Sequence, residues 1–147
     1  MKYKKFEGLG NTGKTAITIA AGYVVVNDKK EFLLTKDKKE EMWKFPGGTV
    51  EDNEDFRKTA ERELFEEVGL TSEEDREPIV YTFHKFNEED QTTYYYVLVH
   101  YYTQKVTGEI TINDAEIEQY KYFSKDELPA NCAPNIKAVI EEINKKQ

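Results

Sequence analysis

Only one cysteine, Cys132, stands in the chain, so no internal disulfide can form and a reducing, cytoplasmic setting is expected. Histidine is nearly as scarce, and His84 and His100 lack metal-ligand spacing to each other, so neither is given a catalytic role. Basic excess is missing too: the net charge is −8 and no basic patch exceeds a few residues. That balance repels a long nucleic-acid duplex and an anionic membrane surface, whereas a small anionic substrate accompanied by cations stays compatible. The apolar stretch from Ala16 to Val26 is broken by Thr18 and Gly22, runs into a turn-like NDKK, and is too short to span a bilayer. Internal repeats, low-complexity tracts and interdomain linkers are absent. What remains suits one folded domain over 1–147: 147 residues, 38% of them hydrophobic, with ten Tyr and eight Phe to fill a core.

Residues 8–15, GLGNTGKT, fit the phosphate-loop pattern through Gly8, Gly13, Lys14 and Thr15. Such a loop works only between a buried strand and a helix, whose N-terminus and backbone N–H groups surround the phosphates. Here the entry, MKYKKFE, has no apolar run, and the exit, AITIAAGYVVVN, carries the β-branched and aromatic residues of a strand. Both neighbours contradict the pattern, and residues 1–15 are expected to form a flexible N-terminal arm.

Further along, AITIAAGYVVV and EFLLTK read as a hairpin turned at NDKK, and KDKKEEM as a solvated charged loop. From Asn53 the period becomes helical, with Phe56, Ala60, Leu64 and Val68 at every fourth place and Gly69 where a C-terminal cap belongs. PIVYTFHKF and TTYYYVLVHYYTQ form a second strand pair turned at NEED, followed by the short strand YKYF. A closing amphipathic helix carries Ile136, Val139, Ile140 and Ile143 on its apolar face. The irregular alternation predicts an α/β (α+β) domain, a mixed β-sheet sandwiched between helices.

The first of those helices ends in RELFEEVGL, which puts Glu63, Glu66 and Glu67 at i, i+3 and i+4 on one face. Like charges at these spacings repel by about 0.2–0.5 kcal/mol per pair. The C-terminal end is also the negative pole of the helix dipole and disfavours anions. A helix chosen for stability alone would carry Lys or Arg there. A solvated acidic face is the plain alternative, since Glu is a good helix former. Divalent cations neutralising the cluster would explain the placement, and hard oxygen ligands suit Mg²⁺ or Mn²⁺, which also bind phosphate oxygens.

From Gly48 the chain reads Gly, five residues, Glu54, seven residues, Arg62-Glu63-Leu64, Phe65, Glu66-Glu67, Val68, Gly69-Leu70. This resembles the Nudix box at each of its fixed positions, and Trp43-Lys44-Phe45-Pro46-Gly47 looks like its usual lead-in. The resemblance implies the Nudix fold and a Mg²⁺-dependent pyrophosphohydrolase, with Mn²⁺ able to substitute, in which water attacks the diphosphate bridge of a nucleoside diphosphate linked to X. It implies Glu63, Glu66 and Glu67 as metal ligands, with a backbone carbonyl of Gly47 or Gly48 beside them. Arg62 would orient a catalytic carboxylate and pair with Glu54. The general base would be Glu63 or a later acid: Glu116 is favoured, then Glu118, over Glu88, Glu89, Glu109 and Asp114. Lys36, Trp43 and Phe45 are candidate substrate contacts, with core packing as the alternative for the aromatics. The partner expected is a small nucleotide, such as a nucleoside triphosphate, a sugar nucleotide or a dinucleoside polyphosphate, and not a long nucleic acid or a membrane. A homodimer is common in the family. The rival reading is a catalytically silent nucleotide-binding sensor on the same fold.

Overall fold

Successive residues of the longest buried run face opposite ways. Tyr23 and Val25 join one hydrophobic cluster, Val24 and Val26 another, and all four are at most 2% exposed. A strand covered on both faces explains why this run is continuously apolar rather than alternating. The structure, a computed structural model, describes residues 4–7 and 14–146. Strands β1 (Lys4–Glu7) and β2 (Lys14–Val25) pair antiparallel, from Lys4 opposite Ile17 to Glu7 opposite Lys14. Residues 8–13 lie outside the described residues, but Lys14 and Thr15 open a strand. No helix therefore leaves the phosphate-loop look-alike, and the expected arm includes a paired strand.

The hairpin expected between AITIAAGYVVV and EFLLTK forms only at its tip. Asn27 makes the turn, its side-chain oxygen accepting the N–H groups of Lys29 and Glu31, and Val26 bridges Phe32. Beyond that bridge the strands part. Both edges of β2 are already used, one by β8 (Thr92–Thr103) running parallel, the other by β1 and β5 (Gly47–Thr49). Strand β3 (Phe32–Asp37) therefore pairs instead with β10 (Ile117–Phe123) and β4 (Trp43–Lys44). The second expected pair does form, β7 (Ile79–Asn87) lying antiparallel to β8. Two short strands unforeseen in the sequence, β6 (Thr71–Ser72) and β9 (Val106–Thr107), make a separate ribbon.

Helix α1 (Phe56–Val68) starts at Asp55, whose carboxylate accepts the Lys58 N–H, and stops at Gly69, left-handed at φ 76°. Ala60, Leu64 and Val68 are buried as the period predicts, but Phe56 is 40% exposed and Thr59 takes the inward place in the first turn. No basic residue occupies its last turn. Helix α2 (Ile136–Lys146) buries Ile136, Val139, Ile140 and Ile143 on the opposite side of the sheets. The domain is thus a mixed α+β sandwich, with two cores separated by strands. Among the described residues no helix is long and apolar enough to cross a membrane.

Candidate active site

Two glycines set the site by letting backbones touch. In the β2–β5 pairing Gly22 stands opposite Gly47, and the Tyr23 N–H donates to the Pro46 carbonyl at 3.0 Å. A Cβ on Gly22 would lie 2.3 Å from Pro46 O, and one on Gly47 2.8 Å from Ala21 O. This close crossing holds the Pro46-Gly47-Gly48 segment against the C-terminal half of α1. The Gly47 N–H then donates to Glu67 Oε2 at 3.0 Å. At Gly48 a Cβ would sit 2.4 Å from Glu63 Oε1, so the missing side chain is the space the Glu63 carboxylate occupies.

Glu67 is only 3% exposed, and its Oε1 has no donor, the only such fully buried side-chain oxygen or nitrogen among the described residues. Burial pushes Glu67 up to about 9, and the adjacent Glu63 carboxyl adds to the shift; the Gly47 N–H and the Lys44 charge pull the other way. Ionised together, Glu63 and Glu67 are acceptors facing acceptors, so a shared proton or a cation has to lie between them. Among the described residues no three His, Cys, Asp or Glu side chains are gathered as a metal cage. A pair of carboxylates nevertheless fits Mg²⁺, which keeps several waters and uses one or two carboxylates plus substrate phosphates.

Arg62 spans the cluster. Its Nε and Nη2 donate to both oxygens of Glu54 at 2.8 and 3.1 Å, and Nη1 donates to Glu63 Oε1 and Glu66 Oε2, each at 3.1 Å. Glu54 also accepts from Thr59 Oγ1 at 2.6 Å, a contact the sequence does not announce. The Arg62 bonds, then Thr59, bring Glu54 down to about 2, so the pair stays ionised throughout the neutral range. Glu66 points to Arg62 with half its side chain in solvent, sharing the Nη1 donor with Glu63. Lysine in place of arginine cannot make this planar fork. Arg62→Lys is expected to cut kcat/KM by about 10- to 100-fold with little change in Tm, the cost typical of losing a ligand's orienting partner.

Two cavities meet beside this cluster. A cleft of about 250 Å³ is lined by Glu63, Glu67, Glu116, Lys38, Lys39 and Lys44. A larger cavity of about 440 Å³ is walled by Phe45, Phe83, Tyr96, Leu98, His100 and Asn135, with Phe83 stacked on Tyr96 at 4.5 Å. Asp37, Lys44 and Gly47 border both. Burial works against the Lys44 charge, but the Asp37 carboxylate 3.1 Å away, helped by Glu67 and Glu40, holds its pKa above the usual value.

The sequence candidates divide accordingly. Glu63, Glu67, Gly47 and Glu116 converge on the cleft, with Gly48, Arg62 and Glu54 directly behind it. Gly47 touches the carboxylate cluster through its N–H. Phe45 lines the larger cavity, whereas Trp43 packs edge-on to Phe123 at 5.0 Å and Lys36 lies 3.9 Å from Glu118. Lys44, Asn135 and Gly22 were not foreseen. A signal for Gly22 existed: glycine inside a β-branched run marks a close backbone approach.

The NUDIX domain model matches residues 16–143. A Bacillus subtilis protein named "Putative 8-oxo-dGTP diphosphatase" is 30% identical over 126 residues, 85% of this chain and 78% of that one. The human "Nucleoside diphosphate-linked moiety X motif 6" is 47% identical over 55 residues, 36% of this chain but 17% of its own length. Among solved structures, a MutT NUDIX hydrolase from Burkholderia pseudomallei superposes with TM-score 0.71 at 22% identity, covering 86% of this chain and 98% of its own. A mutator MutT protein from Bacillus halodurans gives TM-score 0.70 at 24% identity, over 86% and 81%.

Proposed function

The chain belongs to the NUDIX domain family, hydrolases of phosphoanhydride bonds in nucleotides, and from that premise we propose a Mg²⁺-dependent pyrophosphohydrolase of small nucleoside polyphosphates. The observation that carries this reading is Glu67: a buried carboxylate with one oxygen orphaned, beside Glu63 and against the Gly47 N–H. Glu63 and Glu67 would hold the ion, with Glu66, whose Oε2 accepts from Arg62, as the third candidate ligand on the same helix face. When bound, Mg²⁺ neutralises bridging oxygens and lowers the pKa of an attacking water.

The chain's own groups supply the rest. Arg62, anchored by Glu54, keeps Glu63 over Gly48 in one orientation. Lys38, Lys39 and Lys44 line the cleft and offset phosphate charge. Glu116, an exposed carboxylate lining the cleft, would take the proton from water as the water oxygen bonds to phosphorus, while the bridging P–O bond breaks and one phosphate-bearing fragment leaves. The larger cavity, of a size typical for small-ligand sites, receives the nucleoside, its base between apolar walls such as Phe83 and Leu98.

A nucleoside triphosphate is the substrate class favoured by the relative aligned over most of the chain. Purified protein given a panel of nucleotides with Mg²⁺ should release phosphate or pyrophosphate, and EDTA should bring release to background. Turnover that persists in EDTA refutes the metal-dependent reading; tight binding without turnover favours the sensor.

A further inference from the structure

Strand β7 closes one side of the five-stranded sheet, and among the described residues it pairs only with β8. An open edge offers a row of N–H and C=O groups to another chain, and proteins blunt it with shortness, charge, proline or a bulge. Two other outer strands follow that rule. β1 is four residues long and carries Lys4 and Lys5, and β10 has a register shift between Ile117 and Gln119 and charges at Glu118 and Lys121. β7 does not. Its nine residues, Ile79–Asn87, run in unbroken register without proline, and Lys85 is their one Lys, Arg, Asp or Glu.

The two faces of β7 differ. Ile79 and Tyr81 pack in the core under α2, and Phe83, which alternation puts on the same face, walls the larger cavity. On the opposite face Val80 and Phe86 are 56% and 55% exposed. Beside the start of β7 lies a groove of about 460 Å³, lined by the strand from Pro78 to Tyr81 and by Glu141 and Glu142 of α2. Among the described residues neither Lys85 nor Glu141 has an ion partner.

We propose that the β7 edge docks a second copy of this chain, the two β7 strands lying antiparallel about a two-fold axis at Phe83. Opposite residues of such a pair share a face, so a symmetric register must centre on a residue. Centring on Phe83 sets Val80 against Phe86 on both sides of the axis, which covers both exposed apolar residues in a favourable aromatic–β-branched pair. It also sets Lys85 of one copy opposite Tyr81 of the other, beside the unpaired Glu141 in the groove. Centring one residue earlier or later leaves Val80 opposite His84, or Phe86 opposite Thr82. The axis stands perpendicular to the joined sheet, so the two larger cavities open on one face of it.

Sedimentation equilibrium of the wild-type protein should give twice the 17.2 kDa of one chain. Lys85→Glu meets Glu141 with a like charge at both ends of the pairing and should raise the dissociation constant about tenfold. Adding Glu141→Lys should restore it. In a Cys132→Ser background, Phe83→Cys on the axis should cross-link two chains under mild oxidation, whereas Thr82→Cys, which faces His84, should not. Circular dichroism checks that each variant is folded. A monomeric wild-type protein overturns the proposal, as does a dimer that Lys85→Glu leaves unweakened or that Phe83→Cys fails to cross-link.

Discussion

Glu67→Gln is expected to lower kcat/KM by about a thousandfold, because losing one of the two proposed metal ligands would forfeit several kcal/mol of charge stabilisation at the reacting phosphate. Shape and volume are nearly unchanged. The glutamine carbonyl can still accept the Gly47 N–H, now 3.0 Å from Glu67, and its amide can donate to Glu63. The loss should therefore fall on turnover and not on folding.

The same substitution has a signature in the metal-free protein. Burial, then the Glu63 carboxyl, raises Glu67 from 4.5 to about 9. The folded state holds that proton more tightly than the unfolded state. Its stabilisation is complete below about pH 4.5 and is lost as pH climbs through about 9. In EDTA the wild-type Tm should fall across that interval, Glu67→Gln should flatten the slope, and Mg²⁺ should restore the wild-type midpoint at the alkaline end. A wild-type Tm rising with pH in EDTA, or full turnover by the variant, contradicts the assignment.

Gly22→Ala is expected to harm both stability and activity, although Gly22 touches no carboxylate. The added methyl would meet Pro46 O at 2.3 Å and Gly47 Cα at 3.0 Å, and both are backbone atoms that cannot rotate aside. Overpacking of this kind costs about 1–3 kcal/mol. The relief available is a shift of the Pro46–Gly48 segment away from β2, which pulls the Gly47 N–H off Glu67. A displacement near 1 Å in a catalytic loop costs on the order of a hundredfold in rate. Gly48 differs in kind, since its clash is with the tip of the Glu63 side chain, which can swing. Denaturant unfolding and kcat/KM measured on one preparation of Gly22→Ala test the point. A variant as stable and as active as the parent would show that the crossing does not set the site.

Much of this was legible along the chain because its cause is local. The helical period from Asn53, the Gly69 stop and the four buried isoleucine and valine positions of α2 follow from side-chain spacing alone. The spacing from Gly48 to Leu70 marked the carboxylates and the family, since that motif runs without interruption from β5 through one loop and along α1 past the Gly69 stop. Errors arose where pairing depends on distant competitors. β2 and β3 look like a hairpin, but β8, β1 and β5 occupy both edges of β2 first. Phe56 fits the apolar period and is still 40% exposed, because Thr59 fills the inward place in that turn.

The order of residues determined which chemistry was available: an acidic helix end, an arginine beside it, and glycines in the loop before it. Folding decided how those groups behave. Ionisation and hydrogen-bond orientation depend on which segments exclude water from a group, and those segments are far apart in the chain. Glu67 is met by a strand twenty residues earlier, and the Asn135 amide meets the His100 imidazole thirty-five residues away. Neither spacing leaves a period or a motif, so only the closed fold exhibits the orphaned carboxylate and the buried His100–Asn135 contact.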